Sequence, residues 1–418
     1  MGVGGSGCSA VFAIAEKLGF QVTGCDKQAG SPYLDNKLSK LVTVGHSPGH
    51  LKDIDLLVYS PAIPAYDPQN EELQMAKRKG ISNIPWEEFV ASDLLRDKYV
   101  IAVAGTHGKS TVTAMTAFIL ERAGLDPTCL VGAKVNAWAR NYRVGKSKYF
   151  VIEADEYGDK FLHFSADIGV ITNIEFDHPE YFKNEGLVWE AFEKFARGLK
   201  KNSLLVTGPN VSIENPNGRI AKVVEAVPYD IKMIGDFNKI NATIASGVAR
   251  NLLVDEDIIK KGLESFSGLA RRFEFKGEEK GILVFDDYAH HPTAVLATLK
   301  AAREKFPDKR IWVVFQPHLY SRTKALFPDF VKSFENSPVD KIILVDIFAA
   351  RETDDLGISS ALLARNIKGK DVKYIPSLEE AAVYLTKGAF AGDIVVSMGA
   401  GDIYKLPDIL LGKLRNKL

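Results

Sequence analysis

Short, almost continuously apolar segments alternate along the chain with longer segments whose apolar residues recur every three or four positions. The first kind is typical of parallel strands covered on both faces, and the second kind is typical of helices. The pattern predicts strands at residues 99–104, 149–153, 168–173, 282–287, 311–316, 341–347 and 393–398. It also predicts helices, among them 111–123, 293–306 and 378–385. This alternation indicates βαβ units, and therefore an α/β fold with doubly wound sheets.

Length and composition indicate a multidomain globular protein and exclude some other classes. A chain of 418 residues suggests about three domains at roughly 150 residues each. Lys and Arg total 53, as do Asp and Glu, and this balance argues against a dedicated nucleic-acid-binding protein. Hydrophobic residues make up 46% of the chain, which is too many for a disordered protein.

The cysteine content and the hydropathy of the chain predict its cellular compartment. The three cysteines, Cys8, Cys25 and Cys129, are an odd count without a CxxC pair, which argues against a disulfide scaffold or a zinc knuckle. No apolar run approaches the ~18 residues of a membrane span, and no basic-then-apolar leader is visible. We therefore expect a protein of the reducing cytoplasm, without a membrane partner.

The chain begins with a glycine-rich loop. Gly2, Gly4 and Gly7 fit the pattern G-x-G-x-x-G, whose backbone amides can approach a diphosphate at a helix N-terminus. An apolar segment at 20–24 predicts a strand, and Asp26 follows it. The motif alone leaves open a dinucleotide, another nucleotide diphosphate, or a turn without a ligand. A βαβ unit starts with a strand and none precedes Gly2, so we expect the first strand of this unit to be missing from the sequence.

A second loop lies between the predicted strand 99–104 and a helix. It consists of Gly105, Thr106, His107, Gly108, Lys109, Ser110 and Thr111. Amides of such a loop cradle phosphates, while its lysine contacts the β- and γ-phosphates and its hydroxyl coordinates Mg²⁺. A strict P-loop has glycine where this chain has Val103, so the loop is a variant. The strand before it and the helix after it predict an ATP or GTP site.

Carboxylates and amides follow later strands. Glu153 closes the strand 149–153, where a P-loop fold places its metal-binding acid, and His178 lies after the next strand. We expect both to hold divalent cations, with solvated acidic loops as the alternative. Asn238 and Asn241 open a predicted helix at 238–252, and their spacing puts both amides on one helix face. They suit an adenine edge or a phosphate, with helix capping as the alternative.

Further polar groups follow the strands of the last third of the chain. Arg271 and Arg272 precede a strand that ends in Asp286 and Asp287, and His290, His291 and Pro292 come next. Adjacent strand residues point to opposite faces, so only one of the two aspartates is expected to be functional. A guanidinium that reaches a transferring phosphate is a usual device of phosphoryl transfer. His318 and Arg322 follow another strand, where polar groups define a ligand crevice in open α/β sheets, with a structural role for both residues as the alternative.

Together these segments resemble the Mur ligase family, in the family's order and over nearly the whole chain. The resemblance rests on residues 105–111, 153–156, Asn238 with Asn241, 271–273, 286–293 and 316–318. It implies three domains: a Rossmann-like UDP-binding domain at 1–97, a central P-loop ATP-binding domain at 98–267, and a C-terminal Rossmann-like domain at 268–418. The glycine-rich loop would then bind the diphosphate of a UDP-sugar.

The resemblance also implies roles for individual residues. Catalytic roles fall to Lys109, Glu153, His178, Arg272 and Asp287. ATP would be bound by residues 105–111 with Asn238, Asn241, Arg272 and Asp287, and Mg²⁺ by Ser110, Glu153 and His178. Substrates would be bound by Gly4, Gly5, Ser6, Gly7, Asp26, Ser60, His291, His318 and Arg322.

The implied reaction is an ATP-dependent amide ligation in peptidoglycan precursor synthesis. L-alanine would be joined to the lactyl carboxylate of UDP-N-acetylmuramate through an acyl phosphate, by a monomer or weak homodimer. Residues 157–159 and 173–178 resemble instead the relative that attaches recycled murein tripeptide, whereas residues 316–318 and 320–323 favour the alanine reaction. A nucleotide-binding protein without catalytic activity and a nicotinamide-dependent oxidoreductase are further alternatives.

Overall fold

The computed structural model describes residues 1–28, 30–350 and 352–416. It forms two compact units. One contains Met1–Glu175, Gly186–Asp230 and Ile240–Ser267, and the other contains Phe176–Glu185, Ile231–Lys239 and the chain from Gly268 onward. No helix among the described residues combines the length and the apolar character of a membrane span.

The first part of the chain carries two small parallel sheets. Its strands are β1 (Gly24–Asp26), β2 (Val42–Val44), β3 (Leu56–Tyr59) and β4 (Ser82–Pro85). Its helices are α1 (Ser6–Lys17), α2 (Asn36–Ser39), α3 (Ala62–Tyr66), α4 (Glu71–Arg78) and α5 (Trp86–Phe89), with a 3-10 helix at Pro48–Leu51 and a π-helix at Val90–Leu94. Strand β1 pairs with β2, and β3 pairs with β4. Met1 contacts β3, because its amino group donates to the Val58 carbonyl at 2.6 Å.

The strand predicted at 20–24 is wrong. Strand β1 begins at Gly24, whose N–H donates to the Leu41 carbonyl, and it ends with Asp26 itself. The Phe20 side chain is exposed and meets the ring of Phe89 edge-on. The ladder partner sets the limits of a strand, and an apolar run does not record where that partner starts.

The middle of the chain forms a seven-stranded sheet. Its strands are β5 (Tyr99–Ala104), β6 (Thr128–Val135), β7 (Arg140–Arg143), β8 (Tyr149–Glu153), β9 (Ile168–Ile171), β10 (Ser203–Thr207) and β11 (Gly218–Lys222). Its helices are α6 (Lys109–Arg122), α7 (Glu185–Arg197), α8 (Asp236–Asn251) and α9 (Glu256–Ser265), with a 3-10 segment at Tyr157–His163. The strand order is β11-β10-β9-β5-β8-β6-β7, and only β7 runs antiparallel to its neighbour. The strands before and after β5 in this order, β9 and β8, therefore end at the same sheet edge as β5.

The last part forms a six-stranded sheet in the order β12-β13-β17-β14-β15-β16. Its strands are β12 (Glu274–Glu279), β13 (Ile282–Asp287), β14 (Ile311–Phe315), β15 (Lys341–Leu344), β16 (Val372–Tyr374) and β17 (Ile394–Met398). Its helices are α10 (Pro292–Lys305), α11 (Tyr320–Ala325), α12 (Phe327–Glu335), α13 (Ser360–Asn366), α14 (Leu378–Gly388) and α15 (Leu406–Arg415), with a 3-10 helix at Asp402–Lys405. Only β12 is antiparallel.

This sheet is covered on both faces, which explains the continuous apolar runs of its strands. Along β14, Ile311, Val313 and Phe315 pack into one core, whereas Trp312 and Val314 pack into the core on the other face. The predicted strands 99–104, 149–153 and 282–287 are confirmed. Others end sooner than predicted: β9 stops at Ile171 and β15 at Leu344.

Candidate active site

The loop between β5 and α6 adopts a conformation that requires glycine at two positions. Gly105 has φ of +135°, and a Cβ there would fall 1.9 Å from Thr172 Oγ1. Gly108 has φ of +82°, caps α6, and approaches Asn241 so closely that a Cβ would lie 2.5 Å from its Oδ1. The first amides of α6 thus follow directly on the turn, which is the arrangement that binds phosphate in a P-loop.

The end of β9 holds this loop in shape. Thr106 N–H donates to the Asn173 carbonyl at 3.0 Å, and His107 N–H donates to Asn173 Oδ1 at 2.9 Å. Thr172 Oγ1 donates to the His107 carbonyl at 2.5 Å, and the His107 ring lies 2.9 Å from Glu175. Sequence reasoning missed Thr172 and Asn173 as loop-positioning residues. It could have found them from their place, directly after a strand that neighbours β5.

Lys109 is held by an acid that the sequence analysis did not select. Its Nζ lies 2.6 Å from Glu156 Oε2 and donates to the Gly105 carbonyl at 2.7 Å. Both side chains are largely buried, with 13% of Lys109 and 3% of Glu156 exposed. Burial of the ammonium would lower the pKa of Lys109, but the charges of Glu156 and Asp155 outweigh it and raise that pKa. The lysine therefore carries its positive charge at neutral pH, as phosphate binding needs.

Ser110 and Glu153 meet at the start of α6. Ser110 Oγ donates to Glu153 Oε1 at 3.0 Å, and Gly132 N–H donates to Oε2 at 2.6 Å. Burial raises the pKa of the Glu153 carboxyl, although Gly132 and Lys109 oppose the shift. A hydroxyl and a carboxylate side by side supply the hard oxygen ligands that Mg²⁺ prefers, so these residues fit such a cation.

The remaining predicted ATP ligands of this part lie on helices. Thr111 is in the first turn of α6 and is buried. Helix α8 begins at Asp236, two residues before the predicted start, so Asn238 and Asn241 lie within its first two turns. Asn238 Nδ2 donates to the Ile234 carbonyl at 2.8 Å, and Asn241 lies beside Gly108 as described above.

Adjacent arginines and adjacent aspartates of the last part differ in their contacts. Arg271 Nε donates to Asp286 Oδ2 at 2.9 Å, and its Nη2 donates to the Gly399 carbonyl. The Arg272 guanidinium lies over the Tyr288 ring at 5.4 Å, and no described residue gives it an ion pair or hydrogen bond. Arg271 is therefore held by structural contacts, whereas the role of Arg272 at a phosphate stays a prediction.

Of the two aspartates, Asp287 is the one predicted to be functional, and both of its carboxylate oxygens accept hydrogen bonds from nearby backbone amides. It accepts hydrogen bonds from Phe273 N–H and Ala289 N–H, each at 2.7 Å. Burial raises its pKa, and the positive charge of Arg272 opposes that shift. Asp286, in contrast, accepts from Arg271 and from Ser397 Oγ at 2.6 Å.

Arg322 and His178 form a cluster with Asp177, which the sequence analysis did not single out. Arg322 Nε lies 3.0 Å from Asp177 Oδ1, and Arg322 Nη2 lies 3.1 Å from His178 Nδ1. Burial would raise the pKa of Asp177, but Arg322 and nearby histidines hold it well below its usual range. Glu180 Oε1 also lies 3.1 Å from the His178 ring.

The histidines after β13 and β14 are packed among aromatic rings and backbone groups. His291 caps α10 by accepting from Thr293 N–H, and its Nε2 lies 3.2 Å from the Phe176 carbonyl. The His318 ring stacks on Phe348 at 5.8 Å. A role of His291 in substrate binding, which stays a prediction, would have to replace one of these two contacts.

Asp26 contacts the N-terminal glycine-rich loop, and its predicted role in binding substrate stays a prediction. Gly4 N–H donates to Asp26 Oδ2 at 2.8 Å, and α1 starts at Ser6 with Gly5 as its cap. Ser60 lies beside the loop, because its N–H donates to the Met1 carbonyl at 3.1 Å. Gly7 leaves no room for a side chain, since a Cβ there would meet the Trp86 ring at 2.9 Å.

Comparison with known proteins agrees with this arrangement. Three family models match in succession: "Mur ligase family, catalytic domain" at residues 1–99, "Mur ligase middle domain" at 103–226, and "Mur ligase, glutamate ligase domain" at 271–401. The UDP-N-acetylmuramate–L-alanine ligase of Acetivibrio thermocellus is 38% identical and covers 98% of this chain and 94% of its own.

Solved structures with the same fold include two ligases. The UDP-N-acetylmuramate-alanine ligase of Thermotoga maritima has a TM-score of 0.80 at 25% identity and covers 99% of this chain and 98% of its own. The murein peptide ligase of Psychrobacter arcticus has a TM-score of 0.70 at 24% identity and covers 100% and 98%.

Proposed function

Because this chain belongs to the Mur ligase family, we propose that it joins L-alanine to the lactyl carboxylate of UDP-N-acetylmuramate, with cleavage of ATP to ADP and phosphate. The observation that carries the proposal is the loop from Gly105 to Ser110, with charged Lys109 and the Ser110–Glu153 pair. The end-to-end similarity to relatives named as L-alanine ligases supports the choice of substrates.

ATP is needed because a carboxylate is a poor electrophile. Transfer of the γ-phosphoryl group to the lactyl carboxylate forms an acyl phosphate, which the amine of L-alanine attacks with loss of phosphate. The work of the protein is to position the groups and to neutralise charge. Amides of the loop bind the phosphates, while Lys109 and Arg272 spread the charge that develops during transfer.

Further residues are assigned by the same proposal. Mg²⁺, held by Ser110, Glu153 and His178, would supply additional positive charge at the phosphates. Asn238, Asn241 and Asp287 would hold the nucleotide. The UDP-sugar would be bound by Gly4, Gly5, Ser6, Gly7, Asp26 and Ser60, and the amine substrate by His291, His318 and Arg322. The domain limits 1–97, 98–267 and 268–418, and a cytoplasmic monomer or weak homodimer, belong to the same proposal.

One second candidate has support in the sequence. Residues 157–159 and 173–178 resemble the tripeptide-attaching relative.

Phosphate release is to be measured with UDP-N-acetylmuramate, ATP and Mg²⁺, and with one amine at a time: L-alanine, glycine, L-serine or murein tripeptide. Turnover with L-alanine alone supports the proposal. Turnover with tripeptide alone replaces it, and ATP binding without product from any amine identifies a protein that only binds nucleotide.

A further inference from the structure

Four side chains of metal-ligand type that have no role in the proposed function meet in the first part of the chain. They are Cys25 from β1, His46 from the loop after β2, His50 from the 3-10 helix Pro48–Leu51, and Glu72 from α4. A ligand atom from each of Cys25, His50 and Glu72 lies within 4.8 Å of the other two. His46 Nδ1 adds a fourth, at 3.3 Å from Cys25 Sγ.

Three of these atoms, Cys25 Sγ, His46 Nδ1 and Glu72 Oε2, form a triangle with edges of 3.3–3.7 Å, and His50 faces the second oxygen of the same carboxylate. Glu72 Oε2 lies 3.5 Å from Cys25 Sγ and 3.7 Å from His46 Nδ1, and Glu72 Oε1 lies 3.4 Å from His50 Nδ1. Zinc bonds of about 2.3 Å to sulfur and about 2.0–2.1 Å to nitrogen and oxygen give tetrahedral edges of about 3.3–3.6 Å. The triangle of Cys25, His46 and Glu72 thus has about the size of one face of a zinc tetrahedron, and His50 lies on the Glu72 side of it.

The charge and the burial of the cluster also favour a bound cation. Cys25 is 3% exposed and Glu72 is 1% exposed. No lysine or arginine side chain of the described chain pairs with the Glu72 carboxylate, and the side chains beside it are the two histidines and the thiol. The buried Nδ1 of His50 also has no hydrogen-bond partner among the described residues, although it faces Glu72. Buried carboxylates are usually paired with a charged group or bound to a metal.

Two outer contacts orient the ligands. Ser47 N–H donates to Glu72 Oε2 at 3.1 Å, which leaves Oε1 to face His50. Thr43 Oγ1 lies 3.2 Å from His50 Nε2, so that ring nitrogen can donate to the hydroxyl while Nδ1 points into the cluster. Metal-binding histidines are oriented by such a bond from the second ring nitrogen.

We propose that Cys25, His46, His50 and Glu72 bind one zinc ion with a structural role. A thiolate, two imidazoles and a carboxylate are a ligand set that favours zinc, and four protein ligands leave no open position for catalysis. The ion would tie β1 and the segment after β2 to α4, in a region whose strands form only two-stranded sheets. It would also steady Asp26, the next residue after Cys25, which closes the glycine-rich loop.

The test uses the full chain, stripped of metal and then titrated with Zn²⁺ or Co²⁺ without Mg²⁺ or ATP. We expect one zinc ion per chain by elemental analysis. With Co²⁺ we expect the visible bands of a tetrahedral site and a near-ultraviolet thiolate-to-cobalt charge-transfer band. Because the Ser110–Glu153 site has no sulfur ligand, that band reports only on the Cys25 cluster. Wild-type protein without the band, and without retained zinc, would overturn the proposal and leave a hydrogen-bonded cluster.

Variants identify the ligands. Cys25→Ser should abolish the charge-transfer band and weaken zinc binding by about 100-fold or more. Glu72→Gln and His50→Ala should weaken zinc binding while the sulfur band remains at high cobalt concentration. Cys129→Ala, which removes another buried thiol, is the matched control and should keep both signals. An unchanged band in Cys25→Ser would refute the assignment, and circular dichroism of each variant separates loss of zinc from loss of the fold.

Discussion

Replacing Lys109 by methionine separates what this lysine does for folding from what it does for catalysis. The side chain has nearly the same length but no charge. In the native structure the ammonium lies 2.6 Å from Glu156 Oε2, and only 13% and 3% of the two side chains are exposed. Lys109→Met therefore leaves a buried carboxylate without its counter-ion.

The expected magnitude follows from that burial. Removal of one partner of a buried ion pair costs about 3–5 kcal/mol of unfolding free energy, because the remaining charge stays desolvated. The double variant Lys109→Met/Glu156→Gln removes that charge too, so most of the stability should return. Turnover should not return, because loss of a cation on the transferring phosphate costs about 10³-fold or more in rate.

Urea unfolding and phosphate release test the two expectations on the same preparations. Lys109→Met should unfold at a lower urea concentration, the double variant near wild type, and neither should form ADP. Full turnover in the double variant would refute the role of Lys109 at the phosphates. A single variant as stable as wild type would refute the claim that Glu156 stays charged and buried beside Lys109.

Three further predictions follow from single contacts. Gly105→Ala should lower the melting temperature and the ATP affinity and cost about 1–3 kcal/mol of unfolding free energy, because its Cβ would lie 1.9 Å from a threonine oxygen. Gly124→Ala is the control: this glycine also has positive φ but open space around it, and the change should cost about 1 kcal/mol of unfolding free energy. Arg272→Lys should lower kcat with little change in the urea midpoint of unfolding. Arg271→Lys should lose about 2 kcal/mol of unfolding free energy in the same urea assay, because it loses the hydrogen bond to Asp286. The opposite pattern would mean that Arg271 acts in catalysis and Arg272 in stability. Asp177→Asn should lower the unfolding free energy by about 3–5 kcal/mol at pH 7, because it leaves a buried guanidinium unpaired. The pKa of Asp177 is depressed in the native state, so its contribution to the unfolding free energy is fully present above the unfolded pKa of about 3.9 and is lost as pH falls through the native pKa. Urea unfolding at pH 7 and at pH 3 should therefore show a smaller difference in stability between wild type and Asp177→Asn at pH 3. An equal difference at both pH values would contradict this expectation.

Part of the candidate site could be predicted because its chemistry is local in sequence. The loop from Gly105 to Ser110 carries its own turn, cation and hydroxyl within one strand-to-helix connection, so consecutive residues are enough to identify it. The position of Glu153 beside this loop could be predicted as well, because the carboxyl ends of parallel strands share one edge of a sheet.

Partners brought together from distant positions could not be predicted in the same way. Glu153 and Glu156 are three residues apart and have the same side chain. Only the fold shows that Lys109 contacts Glu156 and that Ser110 contacts Glu153. Arg271 and Arg272 are chemically identical neighbours, and the carboxylate of Asp286 decides which of them is committed to structure.

By itself, the sequence determined the alternation of strands and helices, the phosphate loop and the family, since each depends on residues close together or on their order. Tertiary structure alone decided the ion pairs, the residues that shape the loop, and the meeting of Cys25 with Glu72 across 47 positions of chain. The physical reason is that hydrophobic periodicity records which face of an element is buried but carries no information on which distant element covers it.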